Sequence, residues 1–120
     1  MTDEVKTAGP AAKIILIADR SEIHADGKDL SFVTVRIEDA EGNLVPNADN
    51  EIQFQISGEG FIAGVDNGNQ TSLESFKANH RKAFNGLCLA IIQSNGNKGE
   101  IQLNATSTGL QAAGIGIKAK

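Results

Sequence analysis

Apolar and polar residues alternate with a period of two along most of this chain, the spacing that gives a strand one dry and one wetted face. Val33, Val35 and Ile37 alternate with Thr34, Arg36 and Glu38, so Leu30 to Glu38 predicts a half-buried strand. Ile52, Phe54 and Ile56 alternate with Glu51, Gln53 and Gln55, and Ile101, Leu103 and Ala105 with Gln102, Asn104 and Thr106. The β-branched run from Lys13 to Ala18 and the short stretch from Phe61 to Val65 predict further strands. Ala83 to Gln93 is the longest candidate: Leu87, Leu89 and Ile91 share one face, while Ala90 and Ile92 make the other face apolar as well. That double apolarity marks a central strand. The small residues from Ala113 to Ile117 form the last one.

Between these runs lie residues that turn a chain. Asp26-Gly27, Asp39 to Asn43, Gly58-Glu59-Gly60, Asn67-Gly68 and Asn95 to Gly99 all carry Gly, Asn or Asp, which tolerate left-handed backbone. Pro46 has no amide proton for a ladder and belongs at an edge or in a connection. Thr71 to Asn79 is polar without a clean period, and fits a loop or one helical turn over Ser72 to Ala78. Seven to eight short strands, closely spaced turns and no convincing amphipathic helix predict an all-β, immunoglobulin-like antiparallel β-sandwich. The absence of Trp and of a cysteine pair excludes the antibody type. Met1 to Pro10 predicts a flexible lead-in, and residues 11–118 one sandwich, since 120 residues suffice for a single core.

Charge narrows the function. A net charge of −4 argues against nucleic acid, whose binding needs a basic face. No apolar run approaches the roughly 20 residues of a membrane-spanning helix, so no membrane is expected. Met1 to Lys6 lacks the apolar core of a signal peptide, which in an intact protein would point to the cytoplasm. Cys88 is the one cysteine; between Leu87 and Leu89 it reads as a packed thiol, with neither His24 nor His80 beside it in sequence to activate it.

The stretch Gly64-Val65-Asp66-Asn67-Gly68-Asn69, followed by Glu74-Ser75-Phe76-Lys77 and by Arg81 to Leu89, resembles the C-terminal immunoglobulin-like domain of bacterial family 2 glycoside hydrolases, the β-galactosidase group. Asp39 to Pro46 adds a less specific match, and the resemblance runs from about Ala12 to Ala119. It implies a parent enzyme whose two catalytic glutamates sit in a separate (β/α)₈ barrel. This chain would then be a non-catalytic accessory domain that packs against or spaces that barrel, with no cofactor. Its partners would be the other domains of the parent, and the isolated domain would be a monomer. The same resemblance implies a periplasmic or extracellular location, as part of the bacterial parent. No residue here matches the barrel, so no catalytic role carries over.

Other chemistries are weighed against that expectation. A glycosidase needs two carboxyl groups about 5–5.5 Å apart to retain configuration, or about 6.5–9.5 Å apart to invert it. Glu59, Asp66 and Glu74 are the candidates, and solvated loop charge explains them as well. A carbohydrate-binding module is the main alternative, making weak carbohydrate contact. Yet the chain has no Trp or Tyr; Phe54 faces the core, Phe32, Phe61 and Phe84 are expected there too, and only Phe76 reads as an exposed anchor. A polar sugar site from Asp66, Asn67, Asn69 and Asn85 competes with ordinary turn formation. An adhesin-type immunoglobulin-like repeat is a further alternative. Phe76, Lys77, Arg81 and Lys82 suit an interdomain contact with an apolar centre and a cationic rim. Asp39, Glu41, Asn43, Asp49 and Asn50 offer oxygen ligands, but they do not match a calcium loop, and a hairpin turn explains them without a metal.

Overall fold

The computed structural model describes residues 9–66 and 80–120. Among these residues nine strands form two sheets: β1 (Lys13–Ala18), β2 (Glu22–Ile23), β3 (Leu30–Glu38), β4 (Glu51–Gly58), β5 (Gly60–Asp66), β6 (His80–Lys82), β7 (Leu87–Ser94), β8 (Gly99–Thr106) and β9 (Ala113–Ala119). One sheet has the order β1-β3-β7-β5, the other β2-β9-β8-β4-β6. Every pairing between these strands is antiparallel except the short parallel contact of β2 with β9. The sandwich expected from periodicity is present. β2 and β6, with two and three residues, are too short for any period to mark.

The two sheets close on each other because their inner faces are almost wholly apolar. Val33, Val35 and Ile37 of β3 and Ala90 and Ile92 of β7 meet Ile52 and Phe54 of β4 and Ile101, Leu103 and Ala105 of β8, all buried. Cys88 is a buried cysteine on the inner face of β7, as its apolar neighbours predict. Two buried hydroxyls are satisfied locally: Ser31 Oγ donates to the Arg20 carbonyl at 2.6 Å, and Ser94 Oγ accepts from the Gly27 amide at 2.9 Å. Both tie the Asp26-Gly27 turn region and its flanks to the sandwich, which avoids the cost of burying an unpaired polar group.

The longest predicted strand is the main correction. Residues from Ala83 to Gln93 do not form one strand; β7 begins at Leu87. Asn85 and Gly86 have φ of 55° and 79°, and Phe84 and Leu87 exchange backbone hydrogen bonds of 2.9 and 3.1 Å around them. This tight turn carries the chain from β6 in one sheet to β7 in the other. Another tight sheet change occurs at Gly58-Glu59-Gly60, between β4 and β5. The expectation of a central strand holds, because β7 pairs with both β3 and β5.

Candidate functional site

Two of the three candidate carboxylates, Glu59 and Asp66, stand far apart in the structure. Glu59 precedes β5 and Asp66 ends it. β5 has seven residues, and at about 3.3 Å per residue its two ends lie roughly 20 Å apart. Glu59 accepts a 3.2 Å bond from Asn95 Nδ2 at one end of the sandwich. Asp66 lies opposite Leu89 in the register at the other end. Glu74 lies outside the described residues, as do Phe76, Lys77, Asn67 and Asn69. Asn85 holds a left-handed turn position, which accounts for it without a ligand.

The two described members of the predicted interdomain cluster part company. Arg81 is 4% exposed and donates from a terminal nitrogen to the Val65 carbonyl at 3.0 Å, so its guanidinium serves the sandwich interior and not a surface rim. β6 places it opposite Ile52, on the inward register, whereas Lys82 alternates outward. Lys82 Nζ lies 3.9 Å from Asp49, and His80 Nδ1 lies 3.4 Å from Glu51 on the same edge. Such exposed pairs contribute little. Beside them a shallow depression of about 450 Å³ is lined by Asn50, Glu51, Gln53, Thr106, Ser107 and Thr108. Among the described residues it offers hydrogen bonds and no ring for a sugar to stack on.

The oxygen-rich loop from Asp39 to Asn43 is organised by Asp39. Its carboxylate is buried; one oxygen accepts the Glu41 and Asn43 amides at 2.9 Å each, the other the Gly9 amide at 2.9 Å and Asn43 Nδ2 at 3.2 Å. Protein donors therefore fill both oxygens, and among the described residues no cluster of three or more His, Cys, Asp or Glu converges. The Asn43 amide foremost, then the Gly9 amide, lower the Asp39 carboxyl to about 2. Asp29 is also pulled down, first by the Arg20 guanidinium at 2.5 and 2.7 Å and then by the His24 amide.

A pH dependence follows. Both folded carboxyls titrate below the unfolded value of about 4, so the unfolded chain binds more protons as the medium acidifies. Their contribution is complete above about pH 4 and drains away as pH falls through the folded values. Melting temperature is expected to drop over that window, with a shallower slope for Asp39→Asn and Asp29→Asn, as thermal scans from pH 6 to pH 2 would record.

Three of the five phenylalanines were expected inside and are not. Phe32, Phe61 and Phe84 are 38%, 43% and 39% exposed. The reason for Phe32 is written in the β3 alternation: if Val33 points inward, Phe32 must point outward. The same logic places Phe61 opposite Gln93 on the outer face of its sheet. Phe84 stands in the turn between β6 and β7, outside both strands. Period, followed strictly, would have found the first of these.

Two curated relatives of this chain are much longer than it is. The chain is 55% identical over 98% of its length to a β-galactosidase of Bacteroides ovatus, and 33% identical over 93% to a β-galactosidase of Thermoanaerobacter pseudethanolicus. It spans 14% of each of those relatives. A crystal structure of a glycosyl hydrolase family 2 member from Bacteroides cellulosilyticus superposes with a TM-score of 0.91 at 42% identity, covering 94% of this chain and 15% of that one. Because a family model described as glycoside hydrolase family 2 C-terminal domain 5 matches residues 14–116, nearly the whole sandwich, the chain belongs to that family.

Proposed function

We propose that this chain is a non-catalytic accessory domain of a β-galactosidase, packing against or spacing the catalytic part of its parent. The observation that carries this reading is the combination of 98% coverage of the chain with 14% coverage of a β-galactosidase relative. A unit of that size, shared with the relative at 55% identity, is one module of a larger enzyme. The separation of Glu59 and Asp66 supports the non-catalytic half, since acid/base hydrolysis needs carboxyls within about 10 Å of each other. Membership in a hydrolase family also makes an adhesin-type repeat the weaker reading.

The test uses the parent enzyme with and without residues 9–120. The truncated parent is expected to keep its kcat on a chromogenic galactoside within a few-fold and to melt at a lower temperature. The isolated chain is expected to hydrolyse nothing above the buffer rate. Hydrolysis by the isolated chain, or loss of kcat without loss of stability on truncation, would overturn the reading.

A further inference from the structure

The two outer faces of the sandwich differ in chemistry. The outer face of the β4–β8 region is covered by Gln53, Gln55, Gln102, Asn104 and Thr106, all exposed and polar. The outer face of the β1-β3-β7-β5 sheet instead carries Ile17, 51% exposed, with Phe32, Phe61 and Leu87. Half-buried Leu89 and Ile91 fill the space between them. The register makes these a patch: Phe32 lies opposite Ile91, Ile17 opposite Thr34, Thr34 opposite Leu89, and Phe61 on the far side of β7 opposite Gln93. Its margin holds Lys13, Arg36 and Glu38, with Arg36 Nε 3.0 Å from Glu38. An apolar centre within a charged margin is the composition of a protein-protein contact. A glycan platform would need hydrogen-bonding groups turned to a sugar beside its rings; here Ile91 lies opposite Phe32, and Gln93, opposite Phe61, donates to the Gly27 carbonyl at 2.7 Å.

We propose that this sheet face is the surface by which the domain seats on a preceding domain of its own polypeptide. This rests on the accessory-domain reading, and two observations choose the occupant. The family is a C-terminal domain and the chain spans only 14% of its relatives, so most of such a polypeptide lies outside the sandwich. That polypeptide also arrives at the right place. It reaches the sandwich at β1, an edge strand of this sheet, with the Gly9 amide pinned by Asp39 next to the Lys13–Glu38 end. A surface tethered at the margin of an apolar face meets it at high effective concentration, ahead of any second molecule.

The experiment is thiol labelling of the full-length parent, read peptide by peptide by mass spectrometry. Ile17→Cys and Phe61→Cys probe the apolar face, Gln55→Cys and Gln102→Cys the polar one. The apolar-face thiols are expected to react slower by about tenfold or more, because labelling then waits for the domains to part. Slow labelling of all four also supports the proposal, since the apolar face is covered in that case too. Fast labelling of all four overturns it and leaves a spacer role standing; slow labelling of the polar face alone overturns it as well. Protection that disappears on dilution would assign the face to a second copy of the enzyme. Protection that requires added galacto-oligosaccharide would assign it to a glycan, and either result overturns the proposal. Buried Cys88 reports on folding: if its modification becomes fast, that variant has opened and Phe32→Cys replaces it. None of these readouts depends on hydrolysis, so a failed docking face and a failed accessory-domain reading give different results.

Discussion

Gly58→Ala is expected to lower the unfolding free energy by roughly 3 kcal/mol or more, and the melting temperature by roughly 10 °C. Gly58 ends β4 with φ of 89°, and a Cβ there would lie 2.0 Å from the Glu100 carbonyl oxygen. The left-handed backbone alone costs a larger residue about 1–2 kcal/mol. The overlap adds more, because its partner is backbone and no rotamer change relieves it. Making room would pull β4 from β8 where Gly58 faces Ile101, and would break the 3.0 Å bond from the Glu59 amide to that same carbonyl. That bond holds the corner where the chain leaves one sheet for the other, so both layers slacken together. Gly109→Ala is the comparison: φ is 82°, but nothing lies within 4 Å of the new Cβ, so about 1 kcal/mol is expected. Equal losses in the two variants would show that the approach to Glu100 is not what constrains Gly58.

Phe54→Ala is expected to cost about 3–5 kcal/mol. The ring is 2% exposed, the largest fully buried side chain among the described residues, and it sits on β4 opposite Ala105 of β8. Its space is bounded by both sheets, whose hydrogen-bonded ladders limit how far they can close on a void. A domain of this size has about 5–15 kcal/mol in all, so this one truncation removes a large share. Urea unfolding should show a lower midpoint with an unchanged slope. Phe54→Leu, which keeps most of the volume, should cost about 1–2 kcal/mol. A Phe54→Ala midpoint close to that of the unsubstituted protein would mean the core collapses around the gap, contrary to the packing described.

How much was legible beforehand depended on whether a strand had one apolar face or two. β3, β4 and β8 have one, and period two placed Val33, Phe54 and Leu103 inward without ambiguity. β7 has two. Nothing local distinguishes Cys88, Ala90 and Ile92 from Leu87, Leu89 and Ile91, and only the pairing of β7 between β3 and β5 settles which face meets the other sheet. The turn at Asn85-Gly86 is legible in its residue types, but it sits inside a long apolar run that hides the change of sheet there. The assignment of Phe32, Phe61 and Phe84 to the core failed for another reason. An apolar side chain need not be buried, and position along the strand, not ring size, decides which face Phe32 and Phe61 take. Arg81 went the opposite way: as a cation it was expected at the surface, yet β6 turns it inward, and no period can be read from a strand of three residues.

The amino-acid sequence alone determined that this chain is an all-β sandwich, because alternation every second residue leaves a strand only one way to hide its apolar half. Through particular stretches such as Asp66 to Asn69 and Arg81 to Leu89 it also determined the family resemblance. The tertiary structure decided what those local rules cannot reach: that Glu59 and Asp66 lie at opposite ends of β5, that Asp39 gathers a distant amide, and that the apolar excess of β1, β3, β5 and β7 ends up on one outer face. Each of these depends on which strands become neighbours. Neighbourhood is set by the closing of two whole sheets, and not by the preferences of any single segment.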